Sequence, residues 1–267
     1  MKNQVVPPIL RGARHFAASL ESVHTMANWS DPRVNAAPAA TRAGVADAAF
    51  DAGLRSYMLS IYNYMASGVL LTGIVALLFA ESGLAAQLFV TPLRWLIVLA
   101  PLAFIMVLSF GINKLSTTAA QGLFWAFAAV MGLSMSSLFL AYTGSSIAIT
   151  FFATATAFAA LSLWGYTTKK DLSGFGTFLI MGVVGLLVAS LLNIFFKSPA
   201  LNLAISAIGV LLFAGLTAYD TQKIKSMYFY VAGTDFAGKA VVMGALTLYL
   251  DFVNMFTFLL QFMGDRR

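Results

Sequence analysis

The chain has 267 residues; 60% are apolar and 10% are charged, against roughly 45–50% and ~25% in soluble domains. Mean hydropathy is +0.85. These values exclude a disordered chain, a nucleic-acid-binding domain and an ordinary soluble enzyme, so the net charge of +6 reads as basic loops facing anionic lipid.

The N-terminal stretch differs from the rest. It carries Pro7, Pro8, Pro32 and Pro38, many small residues and mixed charge. Residues 1–54 are expected to form a flexible cytoplasmic tail. No apolar run follows the early basic residues, so this is not a secretory signal. Met26 offers an alternative start, with residues 1–25 contributing little. Residues 55–267 are expected to form one transmembrane domain.

A helix needs about 20 apolar residues to cross the hydrocarbon core, and only helices and closed barrels cross it with their backbone groups paired. Strand-like alternation is missing, which leaves helices. Charge-free intervals place seven spans: Tyr57–Ala80, Leu93–Ile112, Thr118–Tyr142, Ile147–Tyr166, Thr177–Phe196, Leu201–Thr221, with room to run on a turn or two, and Lys239–Met263. The third and fourth share the 54 residues between Lys114 and Lys169, which hold no charge and break at Thr143-Gly144-Ser145-Ser146. The result is an all-α membrane protein.

Lys and Arg set the orientation. With the N-terminus in the cytoplasm, Lys2, Arg11, Arg14, Arg33, Arg42, Arg55, Lys114, Lys169, Lys170, Lys223, Lys225 and Lys239 lie inside. Arg94, Lys197, Arg266 and Arg267 lie outside. Twelve against four favours that topology.

The absence of cysteine rules out disulfides and thiolate chemistry. His15 and His24 both precede the first span, so no histidine can hold a metal within the membrane. The body has no nucleophile–base pair, phosphate loop or zinc motif, and no resident cofactor or enzymatic activity is expected. Asn193 is expected to bond a neighbouring helix. Gly68 through Gly73 and Gly182-Val183-Val184-Gly185 read as close-packing positions. Trp95, Trp125 and Trp164 read as belt aromatics. Lys169-Lys170-Asp171 reads first as a loop anchor and second as a lipid or partner contact.

Two acids fall within the spans. Asp220 sits near the inner end of the sixth, and Asp251 lies inside the seventh. Such acids are costly and face the bundle interior. Two on consecutive antiparallel helices are best explained by each other. Thr247, Asp251 and Asn254 lie at i, i+4 and i+7 and share one face; Thr217 and Asp220 share another. Carboxyls at hydrogen-bond distance cannot both ionise cheaply, so they share one proton and titrate as a unit. That proton would clamp the two helices together. Its loss would separate them or recruit a cation. A divalent cation that prefers six to eight oxygens would find only Asp220, Asp251, Asn254 and Thr217 here, so water would complete its shell and residence would be transient. Lys114 is a candidate cationic neighbour of Asp220, with snorkelling to headgroups the simpler reading.

Two motifs carry a family resemblance. Gly215-Leu216-Thr217-Ala218-Tyr219-Asp220-Thr221-Gln222-Lys223-Ile224-Lys225 resembles the penultimate-helix motif of the Bax inhibitor-1 family, also called the transmembrane Bax-inhibitor-motif family. Ala245-Leu246-Thr247-Leu248-Tyr249-Leu250-Asp251-Phe252-Val253-Asn254-Met255-Phe256 resembles its last-helix motif. Tyr166 to Leu172 resembles an inner loop, and Tyr62-Asn63-Tyr64-Met65-Ala66 resembles the bacterial branch. The resemblance spans about residues 54–264. It implies a seven-helix bundle with the last helix central, and a calcium leak gated by pH through two hydrogen-bonded aspartates, which fall on Asp220 and Asp251. The connection between the motifs is longer than in the simplest members, and Tyr228 to Lys239 is expected to form a short interfacial helix.

The partners implied are the bilayer and the calcium ion, in a bacterial inner membrane. A second reading is a regulatory partner of a membrane AAA protease or stress-response machinery, with the tail as its handle. An intramembrane aspartyl protease would use the same acids, but no Gly-x-Gly-Asp surrounds either one.

Overall fold

A computed structural model describes residues 32–267, with side chains described from residue 49 onward. The expected tail thus lies outside the described residues over 1–31, and from Pro32 its backbone is helical. The chain divides into Met1–Ala52 and Gly53–Arg267. The packing below concerns the second unit.

The described residues form eight helices: α1 (Pro32–Glu81), α2 (Leu84–Phe89), α3 (Arg94–Gly111), α4 (Thr117–Ala141), α5 (Gly144–Thr167), α6 (Ser173–Phe196), α7 (Pro199–Val231) and α8 (Ala237–Met263). All but the short α2 are long and apolar enough to span a bilayer. The seven expected spans each fall on one of these. The breaks have local causes. Ser116, Thr143 and Ser198 cap α4, α5 and α7 by accepting the N–H of Ala119, Ser146 and Leu201. Lys197 ends α6 in the left-handed region at φ 49°, and Pro199 opens α7, where a missing N–H costs nothing.

The sixth span differs from expectation. Helix α7 runs to Val231, further than the turn or two allowed past Thr221, and Tyr228 to Lys239 is no separate interfacial helix. The polar run Gln222, Lys223 and Lys225 consists of good helix formers, so it ends the hydrocarbon-compatible stretch without ending the helix. A turn around Gly233, at φ 73°, reverses the chain into α8.

Helix α8 is the centre of the bundle. Of its most apolar 18-residue window 61% is buried, against 11% for α3 and for α6. Val242, Leu248, Tyr249, Met255 and Leu260 are fully enclosed. Helices α4, α5 and α7 pack around it. Helices α3 and α6 keep large apolar side chains outward, including Leu96, Phe110, Phe178 and Phe195. An apolar exterior around a core containing hydroxyls is the inverse of a soluble bundle, and lipid is the solvent it suits.

Candidate functional site

Asp251 is carried into the middle of the bundle by α8 and is 4% exposed. Helix α7 runs antiparallel beside it and presents Asp220, which is half-buried. The two carboxyls lie near enough for each to act on the other's charge. Oδ2 of Asp251 is buried and receives no proton from any N–H, hydroxyl or amide. An ionised oxygen in that position lacks the donors that would offset its removal from water.

The residues expected to support the pair turn their protons elsewhere. Thr217 Oγ1 donates to Phe213 O at 2.8 Å, Thr247 Oγ1 to Met243 O at 3.0 Å, and Asn254 Nδ2 to Leu250 O at 2.8 Å. Each bonds back into its own helix, one turn earlier. The cation whose charge acts on Asp220 is Lys223, three residues on along α7. Lys114 is exposed in the turn after α3, where its N–H bonds Gly111 O.

Neighbouring helices fix where Asp220 stands. Thr221 Oγ1 donates to Thr217 O at 2.7 Å. Its one proton is then committed, so Ser162 on α5 must donate to Thr221 (2.9 Å), and Tyr62 on α1 must donate to Ser162 (2.6 Å). A directed chain of three hydroxyls thus ties α1 and α5 to the residue beside Asp220. Two residues earlier, Ala218 meets Gly165 of α5 backbone to backbone. One residue earlier, the Tyr219 ring lies over Gly176 of α6. A second directed chain braces α8. Thr72 Oγ1 donates to Ala128 O (2.8 Å), which obliges Tyr249 OH to donate to Thr72 (2.6 Å). It joins α8, α1 and α4 two residues from Asp251. Beside the first chain, a groove of about 490 Å³ opens between α1 and α5, lined by Arg55, Met58, Tyr62, Phe158, Ser162 and Tyr166.

The segment containing both aspartate helices matches a family model described as inhibitor of apoptosis-promoting Bax1, over residues 54–267. The chain belongs to the Bax inhibitor-1 family. It is 49% identical over 236 residues to an uncharacterised protein of Caulobacter vibrioides, covering 83% of this chain and 93% of that one. It is 48% identical over 220 residues to the inner membrane protein YbhL of Escherichia coli, covering 81% and 94%. An uncharacterised protein of Rickettsia prowazekii is 48% identical over 220 residues, covering 82% and 93%.

For this Bax inhibitor-1 family protein, the sequence pointed to the two acids as rare charges in apolar spans but not to the hydroxyls that tie the surrounding helices together. Tyr62, Thr72, Ser162 and Thr221 were absent from the expected site, although a hydroxyl in an otherwise apolar span is itself a signal of an interhelical bond. Asn193 is corrected: its Oδ1 accepts the Ser198 N–H at 3.0 Å within the α6–α7 turn, because the residue lies at a helix end and not in a helix interface. Of the glycine positions, Gly68 lies against Phe124 and Gly182 against Leu212, while Gly73 and Gly185 face open space. Trp95 and Trp164 are exposed at helix ends, as belt residues are. Among the described residues, no three Asp, Glu, His or Cys side chains gather as a metal cage.

Proposed function

We propose that this protein is a pH-sensitive calcium leak, gated by a proton shared between Asp220 and Asp251. The observation that carries the reading is the facing of these two carboxyls at the α7–α8 interface, with an oxygen of Asp251 buried and without a donor. While one proton is shared, it bridges α7 and α8 and supplies the missing donor. When it leaves, two like charges remain in a medium of low dielectric. The pair then separates or attracts a cation. Calcium is the cargo, not a resident ion. Two carboxylates and the Thr217 hydroxyl oxygen fall short of its six to eight oxygens, so water completes the shell and residence is brief. The groove between α1 and α5 supports the reading by bringing space to within one hydroxyl chain of the gate. The inner membrane location named for the Escherichia coli relative and the Lys/Arg tally favour a bacterial inner membrane with the N-terminus in the cytoplasm.

The test is flux. Purified protein in vesicles loaded with a calcium dye should pass calcium at a rate that changes with pH. Asp220→Asn and Asp251→Asn should each abolish the pH dependence. If both variants pass calcium as the parent protein does, at every pH, the gate is elsewhere.

A further inference from the structure

The loop between α5 and α6 and the polar end of α7 enclose a cavity of about 340 Å³ lined by Lys169, Lys170, Asp171, Ser173, Gln222 and Lys223, among others. Three ammonium groups border it, against one carboxylate. That carboxylate is already committed: Asp171 Oδ1 accepts the Ser173 N–H at 2.9 Å, which holds the acid below its usual range. The loop is fixed from beneath. Gln222 Oε1 accepts the Leu172 N–H at 2.9 Å, and Gln222 Nε2 donates to Lys170 O at 2.8 Å. One side-chain amide thus pins both ends of Lys170-Asp171-Leu172 to α7. The fourth lysine nearby takes no part, since Lys225 Nζ donates to Tyr166 O at 2.8 Å and lies over the Tyr166 ring. The exposed Trp164 on the last turn of α5 places this end of the bundle at headgroup depth.

We propose that this cavity is a phosphate-binding site, recognising the phosphate of an anionic lipid headgroup or of a soluble ligand through Lys169, Lys170 and Lys223. Lys223 reaches the cavity from over the Tyr219 ring, 5.9 Å from its centroid, and three ammonium groups around a polar cavity complement a multivalent anion. The Ser173 and Ser226 hydroxyls, which also line it, add donors. Gln222 acts as a positioning residue: it touches the loop backbone and sets where two of the lysines leave it. Bound phosphate would also bring a negative charge to Lys223, the cation that acts on Asp220. The binding site itself does not depend on the calcium reading.

The experiment measures binding directly. Parent protein in nanodiscs of mixed phosphatidylglycerol and phosphatidylcholine is released into a mass spectrometer, and retained lipids are counted. Inorganic phosphate is titrated calorimetrically into the detergent-solubilised protein as the second arm. A triple Lys169→Gln, Lys170→Gln, Lys223→Gln variant should lose affinity about a hundredfold, from about fivefold per lysine at a membrane surface. The triple Lys→Arg variant should restore it. Gln222→Ala should weaken binding severalfold with all charges kept, which diffuse surface attraction would not show. Lys197→Gln, at the opposite end of α6, should bind as the parent does. Lysine-dependent retention of phosphatidylglycerol assigns the lipid source, and lysine-dependent binding of inorganic phosphate alone assigns the soluble one. The proposal is overturned if neither ligand's binding depends on the three lysines. Should the triple variant fail to fold, Lys223→Gln and Gln222→Ala carry the same decision.

Discussion

Gly165 of α5 lies directly on the backbone of Ala218 of α7: a Cβ at position 165 would stand 2.9 Å from both the Cα and the carbonyl carbon of Ala218. Real Cβ atoms do not approach backbone so closely, and backbone cannot swing aside as a side-chain tip can. Gly165→Ala should therefore push α5 off α7, at a cost of about 1–3 kcal/mol for overpacking. Because Ala218 is two residues from Asp220, the same displacement should disturb the aspartate pair. A melting curve in detergent, run beside the pH profile of calcium flux, measures both effects.

The Tyr249–Thr72–Ala128 chain predicts an asymmetry. Tyr249→Phe removes a donor and leaves Thr72 still bonded to Ala128 O. The loss should be small, ~0.5–1 kcal/mol, as is typical within membrane bundles. Thr72→Val leaves the Tyr249 hydroxyl buried without its acceptor and should cost more, about 1–3 kcal/mol. Unfolding measured for both variants and their double, as a cycle, tests the order. Equal losses would mean the hydroxyl finds another partner.

Ser162→Ala breaks two bonds at once, Tyr62 to Ser162 and Ser162 to Thr221. Thr221 keeps its bond to Thr217 O, so the helix itself survives. Destabilisation of about 1–2 kcal/mol is expected. The pH profile of flux should also move, because α7 loses its tie beside Asp220. Ser162→Thr, which retains the hydroxyl, should recover most of both.

Asp171 offers a test in acid. Its carboxylate accepts the Ser173 N–H at the start of α6, and this bond lowers its pKa below the ordinary 3.8. A lowered folded-state pKa contributes stability above the unfolded value, and the contribution disappears as pH falls through the folded one. The melting temperature of the parent protein should therefore exceed that of Asp171→Ala near neutral pH. The two curves should converge below the ordinary carboxylate range. A constant gap down to the lowest pH would mean that the loop, not the ionised cap, sets the difference.

The sequence was informative wherever the bilayer itself is the constraint. Charge-free stretches of span length located α3, α4, α5, α6 and α8 to within a few residues, because a charged side chain in hydrocarbon is penalised at every position. It was less informative where a helix leaves the membrane. Hydropathy falls at Gln222 and Lys223, yet the backbone of α7 continues, since propensity and lipid solubility are separate properties of a residue. The acids were legible because Asp220 and Asp251 are rare in such surroundings. The cross-helix bonds of Thr72 and Ser162 were not, because a Ser or Thr can always satisfy itself on its own helix, as Thr217, Thr221 and Thr247 do. Only the packed bundle distinguishes the two cases. Gly165 and Gly185 are equally ambiguous in sequence: one meets Ala218, the other faces outward.

The aspartate pair also makes a prediction about stability that does not depend on ion flow. If a proton bridges Asp220 and Asp251, its contribution is present in acid and is lost as the pair ionises on raising pH. Two facing carboxylates then destabilise the α7–α8 interface, and the parent protein should melt lower at alkaline pH. Asp251→Asn changes the balance. Its amide can donate to Asp220 without a proton from solvent, and it places a donor on a side chain that had an oxygen without one. The melting temperature of this variant should therefore be nearly independent of pH over the range in which the parent's falls. Asp251→Leu, by contrast, removes the repulsion but leaves Asp220 facing an apolar side chain, and should be destabilised most where Asp220 is ionised. Melting curves for the three proteins across neutral pH decide the matter, and parallel curves for parent and Asp251→Asn would show that no proton is shared.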